Sequence, residues 1–367
     1  MEFIHWERKF MLGKFLLSLT FLLLSSSLFA ATHTGTISKM RGSVEVLSGG
    51  TKSVTGQGPH VKYNGLYYTL SKPGVGDKVN QGQIVRTGKA SLARIIFDNG
   101  DQFMIGPGSE YSLNIPSKKS DDSSLINLTR GKLRAIISKE GPRNKMKVET
   151  RNVSMGVRGT DFYVDAKGYN RSDVSVIRGE VKLKEKPVEK IVKKAAEDIK
   201  VIRKSTEPKK EVTLKTGYSA QFTVERKIDQ IVKDEKKNMK AEAKEVIETD
   251  LKVKKTTKEK LVVIQKNSVV QETPEERKVA KVNEEVKKKI ETLEKKAVKV
   301  TLDDIKTHTP ELYKKIKEEE KTVKNADQLS TKVVAEAYKE APKEEKISAD
   351  DLEDLGGDDA YDRYFKF

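Results

Sequence analysis

Residues 152–165 read Asn-Val-Ser-Met-Gly-Val-Arg-Gly-Thr-Asp-Phe-Tyr-Val-Asp. In this string Gly159 permits a bend that a residue with a Cβ would resist, and the β-favouring run after it predicts a strand over residues 162–164. Residues 35–183 repeat the pattern, because short β-favouring runs alternate with glycine turns about every 8 to 12 residues. This spacing predicts a mainly β fold, either an irregular β-solenoid or a sandwich of short strands.

Two hairpins are predicted within this block. Residues 61–63 and 66–70 flank Asn64-Gly65, a pair that tolerates the positive φ angles of a tight two-residue turn. Residues 93–97 and 102–105 flank a second turn, and three consecutive apolar residues at 95–97 indicate a strand covered on both faces. We therefore expect the second hairpin to be central in the sheet.

An Arg-Gly pair followed by alternating residues occurs three times, with its glycine at positions 42, 131 and 179. Each glycine permits a bend, and the period of two that follows places one row of side chains on the core. Stacked coils of a solenoid and hairpin-built sheets would both produce this repetition.

The order of these motifs resembles the FecR domain. The string Val-Arg-Gly-Thr-x-Phe is the most recognisable one in that family, and here it occupies residues 157–162. The resemblance covers residues 35–224 and identifies one motif as a structural or interaction element: Gly156, Val157, Arg158, Gly159, Thr160, Asp161 and Phe162.

The resemblance implies an envelope protein, because the best-known FecR proteins relay a signal across the inner membrane to an extracytoplasmic-function sigma factor. Those members carry a cytoplasmic anti-sigma segment ahead of a membrane helix, whereas only 14 residues precede the hydrophobic run here. We expect the half that regulates the sigma factor to be absent.

The N-terminus is typical of an export signal. Arg8, Lys9 and Lys14 precede the apolar residues 15–24, and small residues follow up to Ala30, so residues 1–30 are predicted to be a signal peptide. A signal anchor in the inner membrane is the alternative, and translation could start at Met1 or at Met11.

The net charge of +17 is unevenly distributed along the chain. Residues 31–184 carry +12, whereas residues 185–367 are a nearly balanced Lys/Glu sequence with +4. The predicted organisation is a FecR-like β domain over residues 31–224 with a charged helical insertion at 185–211. A Lys/Glu-rich helical region at 225–349 and an acidic aromatic tail at 350–367 follow it.

Helix signals support the helical region. Thr273-Pro274 and Thr309-Pro310 each combine an N-cap with a first-turn proline, and apolar residues of helical period between 228 and 247 predict an earlier helix. The thin apolar seams suit coiled coils, solvent-bridging helices or a disordered segment with transient helix.

The last 18 residues carry seven acidic and two basic side chains. Such a tail is a candidate for docking on the basic β domain or for recognition by an envelope partner. Its aromatic side chains are Tyr361, Tyr364, Phe365 and Phe367.

No catalytic constellation stands out. The chain has no cysteine, and its four histidines have no spacing typical of a triad or a metal site, so we expect no cofactor and no metal. Asp98 with Asp101 and Asp161 with Asp165 are candidate carboxylate pairs of a glycan hydrolase, although structural roles are favoured. Arg158 is expected to be partly buried and tied to Asp161 or to backbone carbonyls.

These observations predict an exported, non-enzymatic protein of the periplasm or cell envelope. It is expected to act as a binding, scaffold or sensor module, and membership of a transmembrane signalling assembly is one possibility. An envelope glycan hydrolase and a purely structural spacer are the alternatives. The expected partner is an envelope protein or an anionic envelope polymer, with peripheral membrane contact as a further option, and nucleic acid is not expected because export removes the chain from it. The oligomeric state stays open.

Overall fold

The computed structural model describes residues 35–114, 124–141, 146–168, 170–186, 200–203, 211–232, 242–270, 283–318 and 325–343. These residues all belong to one compact unit, Thr34–Phe367. The predicted signal peptide, most of the insertion and the acidic aromatic tail lie outside the described residues.

The described chain contains nineteen strands and four helices. The first ten strands are β1 (Gly35–Arg41), β2 (Val44–Thr51), β3 (His60–Tyr63), β4 (Leu66–Ser71), β5 (Lys78–Val79), β6 (Ile84–Thr87), β7 (Leu92–Phe97), β8 (Gln102–Ile105), β9 (Glu110–Asn114) and β10 (Ser124–Ile136). The others are β11 (Met146–Glu149), β12 (Val153–Val157), β13 (Asp161–Lys167), β14 (Arg171–Arg178), β15 (Glu180–Glu185), β16 (Lys200–Arg203), β17 (Glu211–Lys215), β18 (Tyr218–Val232) and β19 (Glu242–Lys255). The helices are α1 (Lys258–Ser268), α2 (Glu284–His308), α3 (Pro310–Glu318) and α4 (Ala326–Glu340).

The strands form two ladders joined through β10. Sheet A runs β5-β1-β7-β8-β10-β13-β14-β18-β19-β16, and sheet B runs β3-β4-β2-β6-β9-β10-β11-β12-β15-β17. β10 changes sheets at Gly131, which has a φ of +89°. The predicted mainly β fold is confirmed, and the sheet is open rather than closed into a barrel.

A single apolar core lies between the two sheets. Ile95, Phe103 and Phe162 enter it from sheet A, and Val46, Ile126 and Met155 enter it from sheet B. The predicted hairpin of β7 and β8 is central, because β7 pairs with β1 and β8 pairs with β10, and every residue of both strands is buried.

The predicted glycine bends are present. Asn64 and Gly65 have φ values of +48° and +82°, as the two-residue turn between β3 and β4 requires. Gly159 has a φ of +60°, and a Cβ added there would lie 2.7 Å from the Cβ of Lys139. Both the backbone conformation and the space at this position therefore favour glycine.

The helical assignment of residues 228–247 is wrong in its described part. β18 extends to Val232 and β19 begins at Glu242, and the two strands pair over Tyr218–Val232 and Glu242–Lys255. β18 pairs with β14 in an antiparallel ladder that includes Ser175 and Ser219. As a strand, this segment gains hydrogen bonds to the sheet, whereas an isolated charged helix would gain little stability.

The insertion at 185–211 is described only in part. Residues 187–199 and 204–210 lie outside the described residues. Lys200–Arg203 is not helical as expected but forms β16, which pairs in parallel with the first residues of β19. Residues 200–203 form a strand because the edge of β19 has backbone groups free to hydrogen-bond with them.

The helix predicted at Thr309-Pro310 is confirmed, since α3 begins at Pro310. The N-terminus predicted at Thr273-Pro274 lies outside the described residues. A separate helix, α2, begins after Asn283, whose side chain accepts hydrogen bonds from the backbone N–H groups of Glu285 and Val286.

The helices pack against the outer face of sheet A. A second apolar cluster joins Tyr163 and Ile177 of the sheet to helix residues including Leu261, Ile305 and Leu329, and a third joins Ile96 to Leu293 and Ala297. The narrow apolar stripes of the helices therefore pack against a sheet.

The contact at Gly159 predicts a large effect of a side chain there. Gly159→Val should lower the free energy of unfolding by at least about 2 kcal/mol, because it adds strain at positive φ and a clash with Lys139. Gly156→Ala, in the same motif, is the matched control, since its nearest neighbour would be 3.9 Å away, and it should be close to neutral. Equal denaturation midpoints for Gly159→Val and the unmodified protein would contradict the strain argument.

Candidate functional site

Three arginines without exposed surface lie on the outer face of sheet A, namely Arg94, Arg134 and Arg178. Arg94 and Arg134 both stand opposite Met104 in the strand register, and therefore they share one face of the sheet. The helices cover this face, so each guanidinium needs a partner inside the protein.

Carboxylates from the sheet and the helices provide those partners. Arg134 makes a two-pronged pair with Asp161, with N···O distances of 2.9 and 2.8 Å. Arg178 donates to Asp304 of α2 at 2.7 Å and lies 3.5 Å from Asp161. Asp161 therefore connects two of the three arginines.

Arg94 contacts two helices. It pairs with Glu294 of α2, its Nε lies 3.3 Å from Asp327 of α4, and it donates to Gln102 at 2.8 Å. Lys39 also pairs with Asp327 at 2.5 Å. Four carboxylates thus face three guanidiniums and one ammonium group, which makes this charged layer electrically balanced.

The carboxyl groups of the layer respond differently to burial. Burial raises the pKa of Asp327, but Arg94 and Lys39 outweigh it and hold that pKa below its ordinary value. Burial raises the pKa of Asp304 and the neighbouring Asp161 raises it further, so it stays above its ordinary value despite Arg178 and His308.

The structure corrects the role expected for Arg158. Its side chain is exposed, and Asp161 is held by Arg134 instead, because β10 lies beside β13 and brings Ile136 opposite Asp161. The missed residues carry a signal in the sequence, since Arg94 and Arg134 interrupt apolar strands of a predicted central sheet. The helix partner Glu294 lies 200 residues from Arg94, and Asp304 lies 126 residues from Arg178, so no local pattern identifies them.

The remaining motif residues divide into buried and exposed positions. Val157, Thr160 and Phe162 are buried, and Gly159 takes the tight turn. Gly156 is exposed on β12. The tail residues Tyr361, Tyr364, Phe365 and Phe367 lie outside the described residues.

The paired-aspartate alternative loses support from these contacts. Asp161 is closed off by Arg134, and Asp101 is buried and accepts a hydrogen bond of 2.8 Å from the backbone N–H of Ser138. Asp98 is exposed, and burial raises the pKa of Asp165. Two of the four carboxylates therefore have structural roles.

A basic groove with a volume of about 630 Å³ lies beside the Arg158-Gly159 turn. We define it by the side chains of Lys139, Arg158, Glu180, Lys215 and His308. Within the part of the chain that the structure describes, Lys139, Arg158 and Lys215 make no ion pair. Among the described residues that line the groove, Glu180 is the one acidic residue, so the groove is suited to an anionic ligand.

Two Arg-Gly turns lie at the basic groove, because Arg158 of one turn and Gly179 of the other are among its lining residues. A Cβ added at Gly179 would lie 2.7 Å from the carbonyl oxygen of Gly159, so the two turns touch. The carbonyl of Gly179 also accepts hydrogen bonds of 3.1 Å from the backbone N–H and the hydroxyl of Thr216. Lys215 and Arg158 are thereby held at the same end of the sheets.

Residues 83–182 match the family model described as FecR protein. The chain contains a FecR domain. The match includes the central hairpin, the motif and Arg94, Arg134 and Arg178, whereas the four helices follow the FecR domain in sequence. No relative was found among proteins with curated descriptions.

Two solved structures of a proposed anti-sigma factor from Parabacteroides distasonis, at 2.50 and 1.65 Å resolution, are similar to this chain. Each has 13% sequence identity and a TM-score of 0.30, with 47% of this chain and 59% of the other covered. This chain thus spans about three fifths of that protein's length. None of the described helices is long and apolar enough to cross a membrane, and the described residues contain no cluster of potential metal ligands.

The charged layer leads to a prediction on pH. Asp327→Asn should lower the free energy of unfolding by about 3 kcal/mol at neutral pH, because Arg94 and Lys39 lose a buried counter-charge. Since the folded-state pKa of Asp327 is lowered, its stabilising contribution is complete above the ordinary value of 3.8 and is lost as the pH falls through the lower folded value.

Urea titrations of both proteins from neutral pH to about pH 2 should therefore converge at the acidic end. Asp303→Asn, on an exposed position of α2, is the matched control and should change stability by less than about 0.5 kcal/mol. A difference between the Asp327 variant and the unmodified protein that stays constant with pH would contradict the assignment.

Proposed function

We propose that this FecR-domain protein is an exported, non-catalytic protein of the cell envelope that binds an acidic segment of a protein partner. It acts as the binding or sensor part of a signalling assembly. The N-terminal sequence supports export, and the FecR domain supports a signalling context. The basic groove supplies the binding chemistry.

One observation carries the proposal. The described structure matches the buried arginines with carboxylates, yet it leaves Lys139, Arg158 and Lys215 together and without an ion pair around a single groove. Exposed like charges repel, so the cluster is retained at a small electrostatic cost that an anionic ligand would offset. Arg158 adds a planar fork that suits a carboxylate.

The groove favours a peptide over a compact ion. It is open to solvent, and its three cationic side chains come from separate places in the chain, after β10, in the turn between β12 and β13, and at the end of β17. Several carboxylates spaced along an extended segment match this distribution. Binding of this kind depends on salt because the cations are exposed.

Neutralising the groove should test this function. Replacing Lys139, Arg158 and Lys215 by Gln should weaken binding of a fluorescent hexaglutamate peptide by about ten-fold at low salt, since each exposed pair contributes up to about 1 kcal/mol. Fluorescence anisotropy measures the dissociation constant.

The matched control replaces Lys52, Lys72 and Lys89 by Gln. These lysines are exposed and lie outside the groove, and the control changes the net charge by the same amount. If both triple variants lose the same affinity, bulk charge explains the binding and the groove is not the site. Unchanged affinity in the groove variant would also refute the proposal.

A further inference from the structure

An apolar pocket of about 400 Å³ adjoins the basic groove. Its apolar lining comes from the sheet and the helices and includes Ile177, Leu261, Leu312, Val333 and Ala337. Thr216 lines both the pocket and the groove. Arg178 and Thr309 line the pocket, and their chain neighbours Gly179 and His308 line the groove. The two cavities therefore form one continuous surface with a basic end and an apolar end.

The described chain ends at this surface. Ala341 and Pro342 line the pocket, and the carbonyl of Pro342 accepts a hydrogen bond of 3.0 Å from the backbone N–H of Lys258. This bond fixes the point from which residues 344–367 continue. Those residues can span up to about 80 Å when extended, which is more than enough to cross two adjoining cavities.

The sequence of residues 350–367 has the same two-part chemistry as the surface. It combines seven acidic residues with only two basic ones, and it contains Tyr361, Tyr364, Phe365 and Phe367. Acidic side chains complement the three groove cations that make no ion pair among the described residues, and aromatic rings complement the apolar part of the pocket lining.

Resting on the function proposed above, we infer that residues 350–367 occupy this surface within the same chain. The carboxylates lie in the basic groove and the aromatic side chains enter the apolar pocket. The tail then competes with the acidic partner for the groove. A tethered segment has an effective concentration of about millimolar, so individually weak contacts are enough to fill the site.

Photo-crosslinking in the full-length protein tests the inference directly. Benzoylphenylalanine at position 365 should give an intramolecular crosslink to a peptide that contains Ile177, Leu312 or Ala337. Benzoylphenylalanine at position 54 is the control, because Val54 is 57% exposed and does not line the pocket. Absence of a pocket crosslink from position 365, or crosslinks only between two chains, would overturn the inference.

A pocket-filling variant checks that the crosslink depends on the site. Ala337→Phe places a ring in the pocket and should reduce the crosslink yield from position 365 at least five-fold, while the circular dichroism spectrum stays unchanged. If that variant does not fold, replacing Tyr361 and Tyr364 by Ser tests the same contact from the tail, with the same reduction expected. An unchanged yield in a folded variant of either kind would contradict occupancy of the pocket.

Peptide binding separates this inference from the proposed function. Replacing the seven acidic residues of the tail by Asn or Gln should tighten binding of hexaglutamate to the full-length protein about ten-fold, because the competitor is removed. If both proteins bind the peptide equally and Arg158→Gln weakens both, the tail inference fails and the proposed function stands. If neither protein binds the peptide, the proposed function fails, and a pocket crosslink would then support tail docking alone.

Discussion

The buried guanidinium groups on the outer face of sheet A constrain the rest of the structure. A guanidinium removed from water costs several kcal/mol unless carboxylates and hydrogen-bond acceptors surround it. Arg134 finds its partner within the sheet, but Arg94 and Arg178 depend on Glu294 and Asp304 of α2. The FecR domain therefore presents a face that α2 and α4 complete, and helices and sheet are parts of one folded unit.

The charged layer also explains how helices with so little apolar surface find one position. α2 and α3 are rich in Lys and Glu, and such helices gain little stability from propensity alone. Apolar contacts at Leu293, Ala297 and Ile305 provide attraction but tolerate a shift of one turn. A one-turn shift would separate Asp304 from Arg178 and break this buried ion pair, so the ion pair selects the register.

The parts of the fold that follow from local sequence were predictable, and the parts that depend on distant residues were not. The turn at Asn64-Gly65, the central hairpin and the bend at Gly159 each rest on backbone preferences of a few residues. The hairpin of β18 and β19 was missed because its stability comes from the edge of β14, which the local pattern does not reveal. Arg158 was expected to bind Asp161 because the two residues are close in sequence. Arg134 binds Asp161 instead, because β10 pairs with β13, and the local sequence does not reveal this pairing.

The motif at residues 156–162 serves the fold and the surface at once. Asp161 binds Arg134 and Arg178 of the charged layer, while Arg158, three residues earlier, lines the basic groove. Arg178 and Gly179 also serve both regions, since the guanidinium belongs to the charged layer and the glycine lines the groove. α2 reaches both places, because Asp304 holds Arg178 and His308, one turn later, lines the groove. The buried ion pairs and the edge of the groove thus lie one turn apart on α2, so the charged layer positions the part of α2 that lines the groove.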